Sequence, residues 1–343
     1  MKERVLHYDL IRMVACVMVV VMHSPMPSER IIGPFTWLLT YLSMPCIGLF
    51  FVISGALLLP VKTLPSESFA FVKSRCSKFI LPILFWSIVY MFVNGTFTSG
   101  DYNRIFRSVV SLPFYRQEGV LWFMYVLVGL YIVAPVISPW LDKADKNTIK
   151  KYLYLWGGSL MIPYLQPWIR FELSAYGILY YCSGFLGYFV LGYYLRRFGF
   201  AISFGKALLG LFLMLVFPLV YELFIEQYNL EFGEIFWYLS IDSPILVILW
   251  WSLLKSISEK LKHSKKLSLF CVTFSNLSFG IYLCHILIQR YGLWKMDIIR
   301  DIPNYYLQTL VVIVLTLLLS FILSFVISRT PLGNQLICYK NRL

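Results

Sequence analysis

YDLIRMVACVMVVVMHS, residues 8–24, is an apolar run of membrane-spanning length that carries an arginine and a histidine, Arg12 and His23. Eleven steps at about 100° end about 20° away from three full turns. On a helix the two groups therefore share a face, roughly 16 Å apart along the axis. Charged groups at membrane depth are costly and normally face a protein interior or a watery cavity, which makes them functional candidates. Asp9 precedes Arg12 by three residues and can pair with it on the same face. Two readings stay open. Arg12 is a snorkelling positive-inside arginine and His23 an interfacial histidine, or the two form a polar track from a cytoplasmic anionic ligand to a base near the far side.

The surrounding chain fixes the class. Of 343 residues, 59% are hydrophobic and 14% charged, against about 25% charged in ordinary soluble domains. Mean hydropathy is +0.73. Ten segments are long enough for a hydrocarbon core of about 30 Å: 8–24, 36–60, 79–96, 120–140, 152–168, 176–195, 207–225, 236–254, 269–289 and 305–327. The expectation is a single all-α transmembrane domain over 1–343, with ten spans and both termini cytoplasmic. The longest loop is residues 97–119.

The basic residues test that count. With the N-terminus inside, the inner loops hold 21 lysines and arginines and the outer loops 8. If 152–168, interrupted by Pro163 and Pro167, did not span, the split would be 14 to 15. The positive-inside rule selects ten spans. It also accounts for the net charge of +13 without nucleic acid. Seven cysteines, five of them in apolar segments, with no CxxC pair or His/Cys cluster, indicate neither a disulfide framework nor a metal site. Lys2 and Arg4 before a short apolar stretch imitate a signal peptide, but Asp9 and Arg12 interrupt it, so the segment reads as a retained first span.

Further candidates lie along the spans. Lys73, Arg75 and Lys78 precede the third span; they are topology signals and lipid-headgroup anchors, or a binding patch for a phosphate-bearing cofactor. Gly48 and Gly55 are seven apart on one helical face with Ser54 beside them. They allow close helix packing or the approach of a thin, linear ligand. Tyr282 and His285 share a face in the ninth span, and Trp122 with Phe123 opens the fourth, where an aromatic belt is the default. There is no P-loop, no GxSxG and no paired-carboxylate site.

Taken in order, these fragments resemble the acyltransferase 3 family of integral-membrane O-acyltransferases. The resemblance rests on Arg12-x10-His23, on Gly48-Leu-Phe-Phe-Val-Ile-Ser54-Gly55, on Lys73-Ser-Arg75 with Pro82, on Leu121-Trp122-Phe123, and on Gly280-Ile-Tyr282-Leu-Cys-His285. The family's opening of aspartate, small residue, leucine and arginine is here Asp9-Leu10-Ile11-Arg12, and the second basic position beside Arg75 is Cys76. Some members carry a fused extracytoplasmic domain; this chain ends soon after its tenth span and is expected to be a stand-alone member.

The resemblance implies transfer of an acyl group, commonly acetyl from acetyl-CoA, to a hydroxyl of a cell-surface carbohydrate or its lipid-linked precursor, by a multi-pass protein of the bacterial inner membrane. Its implied catalytic residues are His23, Arg12 and Asp9. Arg12, Arg75, Lys73 and Lys78, with Gly48, Ser54 and Gly55, would receive the CoA donor, and Trp122, Tyr282 and His285 the acceptor. No metal is implied; the partners are acyl-CoA, the glycan acceptor and membrane lipid. A covalent intermediate on His23 or Ser54 stays open. The competing class is a transporter or exporter of a glycan, lipid or small anion, which an intramembrane arginine also suits.

Overall fold

A computed structural model of the chain describes residues 4–25, 34–62, 64–112, 116, 119–165, 184–225 and 238–339. Among these residues the regular structure is helical and includes no strand. In chain order the helices are α1 (Leu6–His23), α2 (Pro34–Ser43), α3 (Pro45–Leu58), α4 (Ser68–Val93), α5 (Tyr102–Ser111), α6 (Trp122–Lys143) and α7 (Lys146–Ser159). They continue as α8 (Leu186–Arg197), α9 (Phe204–Ile225), α10 (Asp242–Leu261), α11 (Lys265–Arg290), α12 (Asp297–Arg300), α13 (Tyr305–Ser328) and α14 (Gly333–Leu336).

Six helical segments among the described residues are long and apolar enough to cross a membrane: Leu6–His23, Leu38–Leu58, Ser68–Val93, Gly119–Lys143, Lys265–Lys295 and Tyr305–Ser328. Each corresponds to a span read from the sequence. The protein is an all-α, polytopic membrane protein. The apolar part of α9, Phe204–Val220, is shorter. The expected spans 152–168 and 176–195 run into residues 166–183, which lie outside the described residues. The expected span 236–254 becomes α10, which starts at Asp242 and reaches Leu261.

The chain divides into two compact units, one of residues 1–18, 32–62 and 134–271 and one of residues 19–31, 63–133 and 272–343. In the first, α3 lies against α8 with backbone touching backbone. A Cβ added at Gly55 would come 1.8 Å from the Phe189 carbonyl oxygen, and one at Gly192 would come 1.9 Å from that of Val52. Small residues permit this approach. On the same face α3 also meets α10: a Cβ at Gly48 would lie 2.7 Å from both the Tyr188 ring of α8 and Val247 of α10. Pro45 opens α3 at a position where no helical N–H is needed. Met44 before it keeps helical angles (φ −53°, ψ −39°), so Leu38–Leu58 continues as one span through the proline. At the other end the Arg196 guanidinium donates to the Leu59 carbonyl at 2.7 Å, a cation where the helix dipole is negative.

In the second unit α13 is arranged inside out. Its buried residues are Gln308, Thr309, Val312, Thr316, Ser320, Ser324 and Ser328. Leu310, Val314, Leu318, Ile322 and Val326 are exposed, as expected where lipid rather than water is the solvent. The hydroxyl seam admits α11 closely: a Cβ at Gly280 would lie 2.7 Å from the Ser324 hydroxyl. Tyr90 of α4 donates to the Leu283 carbonyl of α11 at 2.8 Å, and the Trp86 indole donates to the Leu336 carbonyl of α14 at 3.2 Å.

The stretch expected as the longest loop contains a helix. Asp101 caps α5 by accepting from the Arg104 amide at 3.0 Å. The sequence Tyr102-Asn-Arg-Ile-Phe-Arg-Ser-Val-Val alternates with helical period, so the apolar residues gather on one face and Arg104 and Arg107 on the other. That face is open, with Tyr102 85% and Phe106 68% exposed. Asp101→Ala is expected to remove about 1 kcal/mol from this helix alone. Amide hydrogen exchange should rise across α5 while the melting temperature of the whole protein stays unchanged.

Candidate active site

The end of α1 is held by a buried hydrogen-bond network within the second unit. The Ser24 hydroxyl donates to the Val20 carbonyl at 2.6 Å. The Gln289 amide nitrogen, from α11, donates to the same carbonyl at 3.0 Å and to the Ser24 hydroxyl oxygen at 2.8 Å. The Trp294 indole donates to the Ser24 carbonyl at 3.2 Å. This network sets where His23 points.

His23 points at a second imidazole. Its ring centroid lies 5.3 Å from that of His285, the planes tilted by 38°. His23 is half-buried and His285 fully buried. The His285 Nδ1 lies 2.6 Å from the Tyr282 carbonyl. A carbonyl can only accept, so Nδ1 carries the proton and Nε2 keeps its lone pair. That Nε2 is buried with no hydrogen-bond partner. The arrangement can accept a proton from a substrate that reaches it.

The other residues expected around the acceptor support this corner. The Tyr282 hydroxyl donates to the Val120 carbonyl. Its ring packs against Phe279 at 6.3 Å and Phe123 at 5.5 Å. Trp122, half-buried, meets Phe123 edge to face at 6.5 Å. Tyr282 therefore ties α11 to the start of α6.

The basic candidates separate by element. In the first unit Asp9 is nearly buried and forms a two-pronged pair with Arg4, at 2.7 and 2.9 Å. Arg12 stands 3.8 Å from the same carboxylate, half-exposed. The expected Asp9–Arg12 pair forms, but Arg4 takes the closer position because its planar fork meets both carboxylate oxygens. In the second unit Lys73, Arg75 and Lys78 are exposed on the first turns of α4. Arg75 and Lys78, three apart, share a face, whereas Lys73 falls about 160° from Arg75 around the helix. The Arg75 guanidinium sits 5.6 Å over the Phe71 ring.

Gly48 and Gly55 meet α8 and α10 at the positions where a Cβ would stand, which is the helix-packing reading of the pair. The Ser54 hydroxyl donates to the Phe50 carbonyl one turn back, at 2.9 Å. Sequence reasoning missed Gln289, an amide four residues after His285 in an apolar helix; that spacing was the available signal. It also missed Asp242, a buried acid in an apolar run. Tyr164 donates to its carboxylate at 2.6 Å, and beside it the Tyr188 hydroxyl donates to the Tyr238 carbonyl at 2.5 Å. Among the described residues no group of three or more His, Cys, Asp and Glu could hold a metal ion.

The order of landmarks along the helices agrees with a comparison against protein families. A family model described as an acyltransferase domain, that of acyltransferase 3, matches residues 6–329. No curated protein and no solved structure matches the chain. The family match begins at α1 and runs to the end of α13, so it takes in His23, His285, Gln289, Asp9, Arg12 and the basic residues of α4. The chain belongs to the acyltransferase 3 family.

Proposed function

We propose that this membrane acyltransferase moves an acyl group, acetyl in the first instance, from acyl-CoA to a hydroxyl of a cell-surface carbohydrate or its lipid-linked precursor. The observation that carries the reading is the His23–His285 pair, two imidazoles 5.3 Å apart at the end of a span. His23 takes the proton of the acceptor hydroxyl as its oxygen attacks the thioester carbonyl. The new C–O bond forms, the C–S bond breaks, and the CoA thiolate leaves and is protonated. An imidazole can take the hydroxyl proton and return it to the departing thiolate.

The donor's phosphates need cations. Arg75 and Lys78 on one face of α4 supply two, with Lys73 and Arg12 as further candidates. The charge balance of the loops supports a cytoplasmic N-terminus, hence Arg12 near the compartment that holds acyl-CoA, in a bacterial inner membrane. Gly48 and Gly55 enter this reading only as the residues that let α3 lie close to its neighbours. Ser54 would have to give up its bond to the Phe50 carbonyl before acting as a nucleophile.

The test is reconstitution in proteoliposomes with acetyl-labelled acetyl-CoA and an envelope extract freed of esters by mild base. Base-labile label on the extract is expected. Passage of extract glycans across the bilayer without acetyl-CoA, and no label on them, would establish the transporter class instead. Arg75→Glu is expected to raise the KM for acetyl-CoA about tenfold, the low end for a charge-assisted contact because the site is exposed. The acceptor KM should not move; equal shifts in both would remove Arg75 from the donor site.

A further inference from the structure

The cluster at the end of α1 contains a second unsatisfied acceptor. Gln289 is fully buried, and its Oε1 has no hydrogen-bond partner. The amide cannot be turned round to cure this. Val20 offers a carbonyl, which only accepts, and the Ser24 hydroxyl already gives its proton to that carbonyl at 2.6 Å. Both neighbours therefore demand the amide nitrogen, at 3.0 and 2.8 Å, and the oxygen is left over.

His285 repeats the situation one turn earlier on α11. Its Nδ1–H is spent on the Tyr282 carbonyl at 2.6 Å, and its Nε2 is buried without a partner. Residues four apart share a helix face, with Cβ atoms about 5–6 Å apart. On one face of α11, a turn apart, stand two residues that each hold a buried acceptor and have their donors fully used. A buried acceptor without a donor is costly, and native proteins satisfy almost all of them. Whatever completes this corner must bring hydrogen-bond donors, at least two and closely spaced. A carboxylate, phosphate or acyl carbonyl brings none.

We propose that Gln289 Oε1 receives a hydrogen bond from a second hydroxyl of the acceptor, next to the one that is acylated, so that the enzyme selects vicinal polyols over simple alcohols. The inference rests on the acyl-transfer reading and deepens it. The hydroxyl that loses its proton lies at the His23–His285 pair, and its neighbour on the same ring lies at Gln289. A lone alcohol leaves Oε1 buried and unmet. A diol satisfies it. Water and the amide N–H groups of the CoA pantetheine arm are the other sources of donors: water would leave diol and monool equal, and pantetheine would link Gln289 to the KM for acetyl-CoA.

The experiment uses the full chain in proteoliposomes, labelled acetyl-CoA and the deacylated envelope extract, with cyclohexanol and trans-cyclohexane-1,2-diol as competing probes. The diol is expected to inhibit label transfer at about ten- to a hundredfold lower concentration than the monool, the range for one buried acceptor satisfied or left empty. Gln289→Met should erase that preference and leave the KM for acetyl-CoA unchanged; Gln289→Asn, which keeps the amide but withdraws the oxygen, should weaken it. Equal inhibition by the two probes in the native protein overturns the proposal. So does a Gln289→Met variant that keeps the preference. A raised KM for acetyl-CoA in that variant moves Oε1 to the pantetheine arm and overturns it as well. No label on the extract with native protein defeats the acyl-transfer reading itself, a result distinct from all of these.

Discussion

His23→Ala is expected to lower acyl transfer by about 10²–10⁴-fold, the range for a positioned general base, while the protein inserts and accumulates normally. The two halves of that expectation have separate physical grounds. Under the proposed mechanism the rate falls because the acceptor hydroxyl loses the imidazole that would remove its proton. Abundance holds because the bonds that fix the end of α1 use the Val20 carbonyl, Ser24, Gln289 and Trp294, and none passes through the His23 side chain. The measurement is initial-rate label transfer, normalised to protein recovered from the membrane. His285→Ala is the instructive companion. It empties a fully buried site and should lower the melting temperature as well as the rate. Full activity in His23→Ala together with none in a folded His285→Ala would move the base to His285.

Gly192→Ala is expected to be among the most damaging single-methyl changes in the first unit, together with Gly55→Ala, whose Cβ would meet the Phe189 carbonyl oxygen at 1.8 Å. The Cβ added at Gly192 would stand 1.9 Å from the Val52 carbonyl oxygen, and the group in the way is backbone on a packed helix, not the end of a flexible side chain. Overpacking commonly costs about 1–3 kcal/mol, and a contact with so little freedom to yield belongs at or above the top of that range. Gly129→Ala is the control, since its Cβ would meet nothing within 4 Å. It should be neutral or raise stability by up to about 1 kcal/mol through helix propensity. Thermal unfolding in detergent compares them directly. Equal melting temperatures would show that α3 and α8 can separate freely.

Much of this was legible in the sequence. Long apolar runs and the bias of lysine and arginine gave the helical, multi-pass class, and the Arg12–His23 spacing singled out α1. Local periodicity could have shown α5, but a polar-looking stretch between two spans conceals a ten-residue helix whose apolar face is split among Tyr102, Phe106 and Val109. The meeting of His23 with His285 was not legible. It joins residues 262 positions apart, and it depends on how α11 docks, which no local pattern encodes. The same is true of Gly192: its value lies in facing Val52, while Gly129, equally a glycine in an apolar helix, faces nothing. Arg4 taking Asp9 shows a third limit. Spacing identifies which charges can meet but not which of two cations fits the carboxylate better.

The inverted character of α13 has a thermodynamic consequence. Apart from Val312, which is buried, its leucines and valines are exposed or half-exposed, and its seam toward the protein is mostly hydroxyls. Lifting the helix away from α11 within the bilayer therefore brings no apolar surface into contact with water. The large positive heat capacity that accompanies the opening of a water-soluble core has no source there. What holds α13 to α11 is chiefly fit, with the Cys284 thiol 3.8 Å from the Ser320 carbonyl and the Ser324 hydroxyl, and such an attachment lacks the steep temperature dependence of a water-expelled core.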